Sequence, residues 1–262
     1  MFRAVFHSIR WLACLCIVVV AVAVEAQQTT PIVTSTLQSS LLALSGSMTV
    51  QDITLSGTAT AGSESGTVEL KATAVGQSRI DLNLSAGARS ELRSTSDSGP
   101  AGVWYGADQM PHTIAPHNLF VEPAWFVPSI VISRLLSLPS SSVSYLGQET
   151  KGGSALLHFR VYQQLPGVSN PLAVTPQHLS QMELYLDPVT LLPTVLSFNA
   201  HPDSDASVDI STEIYFSNYQ NVSGVLVPHS IQKHVNNGLV LDMEIQSVQL
   251  NCGIPAQTFT AQ

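Results

Sequence analysis

Two groups of side chains in this 262-residue chain have the types from which a metal or acid–base centre is built. His112 and His117 stand in a proline-broken aromatic stretch, with Asp108 and Glu122 on either side. Two imidazoles and a carboxylate are a zinc donor set. However, Pro116 intervenes and the spacing does not put both histidines on one helical turn, so polar loop histidines are the better account. His201-Pro202-Asp203-Ser204-Asp205, with Asp209, has the oxygen density of a calcium loop. It lacks the glycine and the distant glutamate of an EF-hand and reads as a solvated acidic turn. His229, Lys233 and His234 alternate faces along one expected strand and do not converge without outside partners.

Nucleophile and phosphate motifs fail as well. Gly62-Ser63-Glu64-Ser65-Gly66 has glutamate where a nucleophile elbow needs serine, and it falls in a hairpin turn. No Gly-x-Gly-x-x-Gly opens a helix and there is no P-loop. Glu64 and Glu69 lack the apolar setting that separates the pKa values of an acid–base pair. Asn221-Val222-Ser223 matches a glycosylation triplet, a pattern common by chance. The expectation is therefore no catalytic residue, no metal and no cofactor: the chain does not read as an enzyme.

The N-terminus points to export. Arg3, His7 and Arg10 precede an apolar run from Trp11 to Val24, and Val24-Glu25-Ala26 is a small-residue cleavage signal. The run is short for a membrane span, which needs about 20 residues. Residues 1–26 are read as a signal peptide and 27–262 as one domain. Cys14 and Cys16 fall inside the apolar run, ahead of where a lipid-attachment box would stand. Cys252 alone is left to the mature chain, so no internal disulfide can form. Without a nearby histidine it reads as a packed or half-exposed thiol. Charged residues are 11%, against about a quarter in ordinary domains. The formal charge is −8 and no basic cluster follows the signal, which argues against nucleic acid.

Those residues are carried by a long run of alternation. Pro31 to Leu44, with Ile32, Val33, Leu37, Leu41, Leu42 and Leu44 apolar, predicts an amphipathic helix stopped at Gly46. From Met48 to Arg93 the residues alternate between turns at Ala61–Gly66, Gly76-Gln77 and Ala86-Gly87, a meander with one dry and one wet face. Lys71 near Asp81 is the sort of cross-strand pair the wet face would carry. From Gly99 to Pro139 the alternation breaks. Trp104, Tyr105, Phe120, Trp125 and Phe126 alternate there with four prolines, Asn118 can cap a short helix, and another helix can start near Pro128. So apolar a stretch, unlike a central strand, should lie against the dry face. Strands resume at Ser142 and run to Leu250, interrupted by a polar loop over residues 163–177 that could cross the mouth of the fold. Asn236-Asn237-Gly238 is a strong hairpin signal.

Leu184-Tyr185-Leu186-Asp187-Pro188-Val189-Thr190-Leu191-Leu192-Pro193 forms a strand, an Asp-Pro turn and a second strand. An aromatic strand from Tyr215 then passes through Asn221-Val222-Ser223-Gly224 to Val227-Pro228-His229-Ser230-Ile231, and a closing strand ends near Asn251. This block resembles the outer-membrane lipoprotein carrier family, the LolA-like or LppX-like half-barrels. The resemblance implies a mainly β (α+β) fold: a single curved antiparallel sheet of roughly eleven strands, an incomplete barrel around short central helices, with an N-terminal helix. It also implies a concave face that can hold lipid or acyl chains. The family's buried arginine has no clear counterpart: Arg79 falls on the wet phase, with Arg89 and Arg93 as the substitutes.

The first functional expectation is thus a periplasmic, non-enzymatic carrier or binding protein for a lipid, acyl chain or lipoprotein. Peripheral membrane contact is compatible with that role. The alternative is a fully plugged half-barrel that binds a protein partner by an edge strand or loop, and a hydrolase assembled from distant loops is the weakest reading. The expected ligand-binding residues are Leu70, Ile80, Leu82, Trp104, Trp125, Phe126, Ile214, Phe216, Leu241 and Met243. Burying each such side chain contributes about 1.5–3 kcal/mol, so any of them is also explained as ordinary core.

Overall fold

The computed structural model describes residues 31–96, 99–163 and 176–261. The expected signal peptide and leader, and most of the 163–177 loop, lie outside the described residues.

Helix α1 (Pro31–Ser45) buries Val33, Leu37, Ser40 and Leu44, which recur at helical spacing. Its apolar face is narrower than the sequence implied, because Ile32 and Leu42 point away and are exposed. Gly46 ends it at φ +55°, its N–H bonded to the Leu42 carbonyl.

Thirteen strands follow: β1 (Asp52–Ala61), β2 (Glu64–Thr73), β3 (Gln77–Leu84), β4 (Gly87–Ser96), β5 (Gly99–Tyr105), β6 (Pro111–Thr113), β7 (Ser141–Lys151), β8 (Ser154–Gln163), β9 (Met182–Leu186), β10 (Pro193–Ala200), β11 (Ile210–Val222), β12 (Val225–Val235) and β13 (Gly238–Leu250). They form one antiparallel sheet in the order β6-β5-β4-β3-β2-β1-β13-β12-β11-β10-β9-β8-β7. The chain starts in the middle of the sheet at β1 and walks out to one edge at β6. It then crosses the concave side through a 3-10 turn (Pro116–Phe120) and helix α2 (Pro128–Ser137), enters the other edge at β7, and walks back until β13 pairs with β1. A short helix α3 (Pro176–Leu179) precedes β9.

The concave face is the core. Leu70, Ile80, Ile214, Phe216, Ile231 and Met243 from the sheet pack with α1, α2, Trp125 and Phe126. The sheet curls around this plug with help from glycine. On β1 a bulge falls between Ser56 and Gly57, and a Cβ on Gly57 would collide with the Glu244 carbonyl oxygen of β13. The convex face is mostly polar, but Leu92 and Phe259 are both buried where the C-terminal turn Ala256–Phe259 packs over β3 and β4.

Three expectations change. Gly99–Tyr105 and Pro111–Thr113 are strands, which accounts for thirteen strands where roughly eleven were expected. They sit at the sheet edge, where proline is tolerated. Asn118 caps nothing; its side chain bonds His201 instead. On the wet face Lys71 pairs with Glu69, and Arg79 with Asp81 at 2.6 Å, because the register sets Lys71 opposite Arg79.

Candidate functional site

Trp125 is held by its place in the crossover. The segment before α2 carries it to the concave side, where it is 3% exposed and meets Phe126 edge to face at 5.4 Å. Under it the curl of the sheet brings together two groups of strands that β2 and β1 separate. β3 contributes Ile80 and Leu82, β4 Arg89, Ser90 and Glu91, β5 Trp104, Tyr105 and Gly106, β12 Lys233, and β13 Leu241. These line a mainly apolar cleft of about 320 Å³, at the low end of the ~300–1,000 Å³ usual for ligand sites. Trp104, 40% exposed, stands at its rim. A recess of about 200 Å³ adjoins it, sharing Glu91, Trp104, Trp125 and Lys233 and adding Arg93, Asn118, Phe198 and Asp203.

The charges on this inner wall follow from strand pairing. Ser78, Ile80 and Leu82 face inward, and their partners on β4 are Arg93, Glu91 and Arg89, so all three of those charges share the inner face. Leu92, between them, faces out. On β12, Lys233 lies in phase with Ile231 and opposite Leu241, and a bulge just beyond it separates the Lys233 and His234 registers. Arg93 donates from Nε to Glu91 at 2.7 Å and from Nη1 to the Asn118 carbonyl at 2.9 Å. Arg89 pairs with both oxygens of Glu64, at 2.7 and 2.9 Å. Lys233 lies 5.1 Å from the centre of the Trp125 ring. Burial pushes its ammonium below the ordinary lysine value, against the pull of Glu91 and with the push of Arg93. Burial likewise works against the Glu91 carboxylate, yet Arg93 and Lys233 hold it below the usual carboxylate range.

The roof is pinned from the far wall. Asn118 donates to the His201 carbonyl at 2.8 Å and accepts from the His201 N–H at 2.9 Å, and a His117 ring nitrogen lies 3.0 Å from the Pro202 carbonyl.

Of the ten expected ligand-binding residues, Ile80, Leu82, Trp104, Trp125 and Leu241 line the cleft. Leu70, Phe126, Ile214, Phe216 and Met243 are buried in the packed core. Glu91 escaped the sequence reading, which weighed Arg93 only as a stand-in for the family's buried arginine and Lys233 only as one of three residues that do not converge along their strand. The available signal was on β4, where three charged residues alternate with one buried leucine and reverse the polarity of β3.

His112 and His117 do not converge on a metal: His112 stacks on Trp104 at 4.1 Å while His117 turns to Pro202. A different set does come together. His178, His201 and Asp209 bring ligand atoms within 4.8 Å of one another, and among the described residues they are the group that could hold a metal ion. In the structure His178 Nε2 lies 2.9 Å from Asp209, and His201 Nδ1 lies 3.0 Å from the Val208 carbonyl, so the set works as a latch across the β10–β11 turn. On the convex side His158 stacks on Tyr185 at 4.3 Å between Glu149 and Glu183, at 2.7 and 2.8 Å. Cys252 is exposed, and its N–H donates to the buried Asp52.

No family model and no curated protein matches the chain. Solved structures do. A DUF1329 family protein from Desulfovibrio piger superposes with a TM-score of 0.50 at 10% identity, over 88% of this chain and 98% of that one. The shared fold is an open antiparallel half-barrel wrapped around short helices. A LolA superfamily protein from Nitrosomonas europaea gives 0.48 at 10% identity, over 87% of this chain and 97% of that one. At such identity the likeness concerns the fold alone.

Proposed function

We propose that this protein is an exported, non-enzymatic carrier or binding protein that holds one apolar chain, of a lipid, an acyl group or a lipoprotein, in the cleft beneath Trp125. The observation that carries this reading is the cleft itself: Ile80, Leu82, Leu241, Trp104 and Trp125 give it an apolar wall on the concave side of the half-barrel. Helices α1 and α2 fill much of the remaining concavity, so the space suits a single chain or a small amphiphile. The resemblance seen in the sequence and the signal-like N-terminus point the same way.

A chain-length series tests it. Each methylene moved from water into an apolar wall contributes about 0.8 kcal/mol, or roughly a fourfold gain in affinity. Straight-chain alcohols should therefore bind about fourfold more tightly per added carbon until the cleft is full, and then level off. Native mass spectrometry of protein purified from cells should show added lipid mass.

The edge of the sheet favours a second reading. Among the described residues no strand pairs with the outer edge of the eleven-residue β7, where Tyr145 and Leu146 are exposed, a surface on which a partner strand could add. Clean protein mass together with no length dependence would favour that plugged interaction module over the carrier.

A further inference from the structure

We propose that Lys233 is the headgroup anchor of the cleft and selects an amphiphile bearing a single negative charge. The inference rests on the binding reading above and deepens it.

Lys233 is half-buried, and a strongly hydrated ammonium drawn even partly out of water is usually matched by an anion. Among the described residues, Lys233 Nζ has no carboxylate within 4.0 Å and no hydrogen bond, and the contact it makes is with the Trp125 ring. The nearby carboxylate, Glu91, is already taken by Arg93 at 2.7 Å. Arg89 is matched by Glu64. The charges that act on Lys233 are Glu91 and Arg93; Asp203, in the adjoining recess, is not among them. Lys233, Glu91 and Arg93 together leave one positive charge in surplus on an apolar wall. A methionine would serve packing against Trp125 equally well and would need no counter-ion. The bulge beside Lys233 and the inward phase of β12 set the ammonium at the junction of cleft and recess, since it lines both. A singly charged oxyanion at that junction completes the set, while its chain runs along Ile80, Leu82 and Leu241. Carboxylates and phosphodiesters share this chemistry.

The test measures dodecanol, dodecanoate and a lauroyl lysophosphatidylglycerol by displacement of a neutral fluorescent chain probe, at about pH 8 so that the carboxylate is ionised. Wild type should bind dodecanoate at least about tenfold more tightly than dodecanol, the size of one charge-assisted hydrogen bond. Lys233→Met should bring the ratio of dodecanoate to dodecanol affinity down to about one, and Lys233→Arg should keep that ratio. Glu91→Gln, which raises the surplus charge, should tighten dodecanoate further and guards against a misfolded lysine variant. Preference for the lysophospholipid alone would assign a phosphodiester source, and preference for dodecanoate alone a carboxylate. If dodecanol binds but neither anion is preferred, or if Lys233→Met leaves the preference unchanged, the anchor is wrong and the apolar cleft stands. If no chain binds at all, the cleft reading and the anchor fall together.

Discussion

Lys233 and Glu91 show what single residues concealed. Alternation along β4 and β12 fixes that each points to one face, but not which face, nor that the curl of the sheet brings the two strands to one cleft. Ile80, Leu82 and Leu241 were legible because dry-phase side chains of a meander are inward by construction, whereas Trp104 and Trp125 were legible because so apolar a stretch has to lie against the dry face. On the outer face, chemistry is set by neighbours within reach of one another. Glu213 of β11 accepts hydrogen bonds from Lys151 and from the Tyr215 hydroxyl, the latter at 2.8 Å. Burial opposes its ionisation, yet these two donors hold the carboxyl below its ordinary 4.5. Glu213 therefore takes up a proton at lower pH in the folded protein than in the unfolded chain. Its stabilisation is present above the unfolded value and is lost as pH falls through the folded one. Glu213→Gln should lower the urea midpoint near neutrality and flatten its decline below about pH 4.5. An unchanged acid limb in that variant would remove Glu213 from the account.

At the scale of elements, the antiparallel meander could be read almost strand by strand, because turn residues separate runs of period-two alternation. Asp187 does what an Asx turn requires, accepting from the N–H groups of Val189 and Thr190 at 3.0 and 2.7 Å. Asn236 and Asn237 both take positive φ, as the hairpin signal implied. β5 and β6 were hidden because glycine, proline and aromatics break the alternation, and an edge tolerates that. How α2 is fastened was also invisible. Arg134 of α2 donates from Nε to Glu122 at 3.0 Å and from Nη1 to the Ala74 carbonyl at 3.3 Å. Gly76 makes room for it: at φ +88° a Cβ there would stand 2.6 Å from the guanidinium. Glu122 is only 6% exposed, so removing its partner strands a carboxylate in the core. Arg134→Met should cost about 3–5 kcal/mol, read from urea unfolding, and adding Glu122→Gln should recover part of it. A double variant as unstable as the sum of the singles would show that the pair does not act as a unit.

The whole molecule is one sheet whose two edges, β6 and β7, are joined by a crossover through its own hollow. That topology makes plug and cleft inseparable: the segment carrying Trp125 fills the core and also roofs the site. With a single sheet and a continuous core, unfolding should dismantle the cleft together with everything else. A chain bound in the cleft must then stabilise the entire fold by mass action. At a free concentration one hundred times its dissociation constant, a ligand that binds only the folded state adds about 2.7 kcal/mol. For a domain of this size, roughly 2–4 °C of melting temperature corresponds to each kcal/mol, so the transition should move up by about 5–10 °C. The shift should appear in one transition, with tryptophan fluorescence and circular dichroism moving together. Two transitions, with only the fluorescence one displaced, would mean that the Trp125 segment opens separately and that roof and sheet are not one cooperative unit.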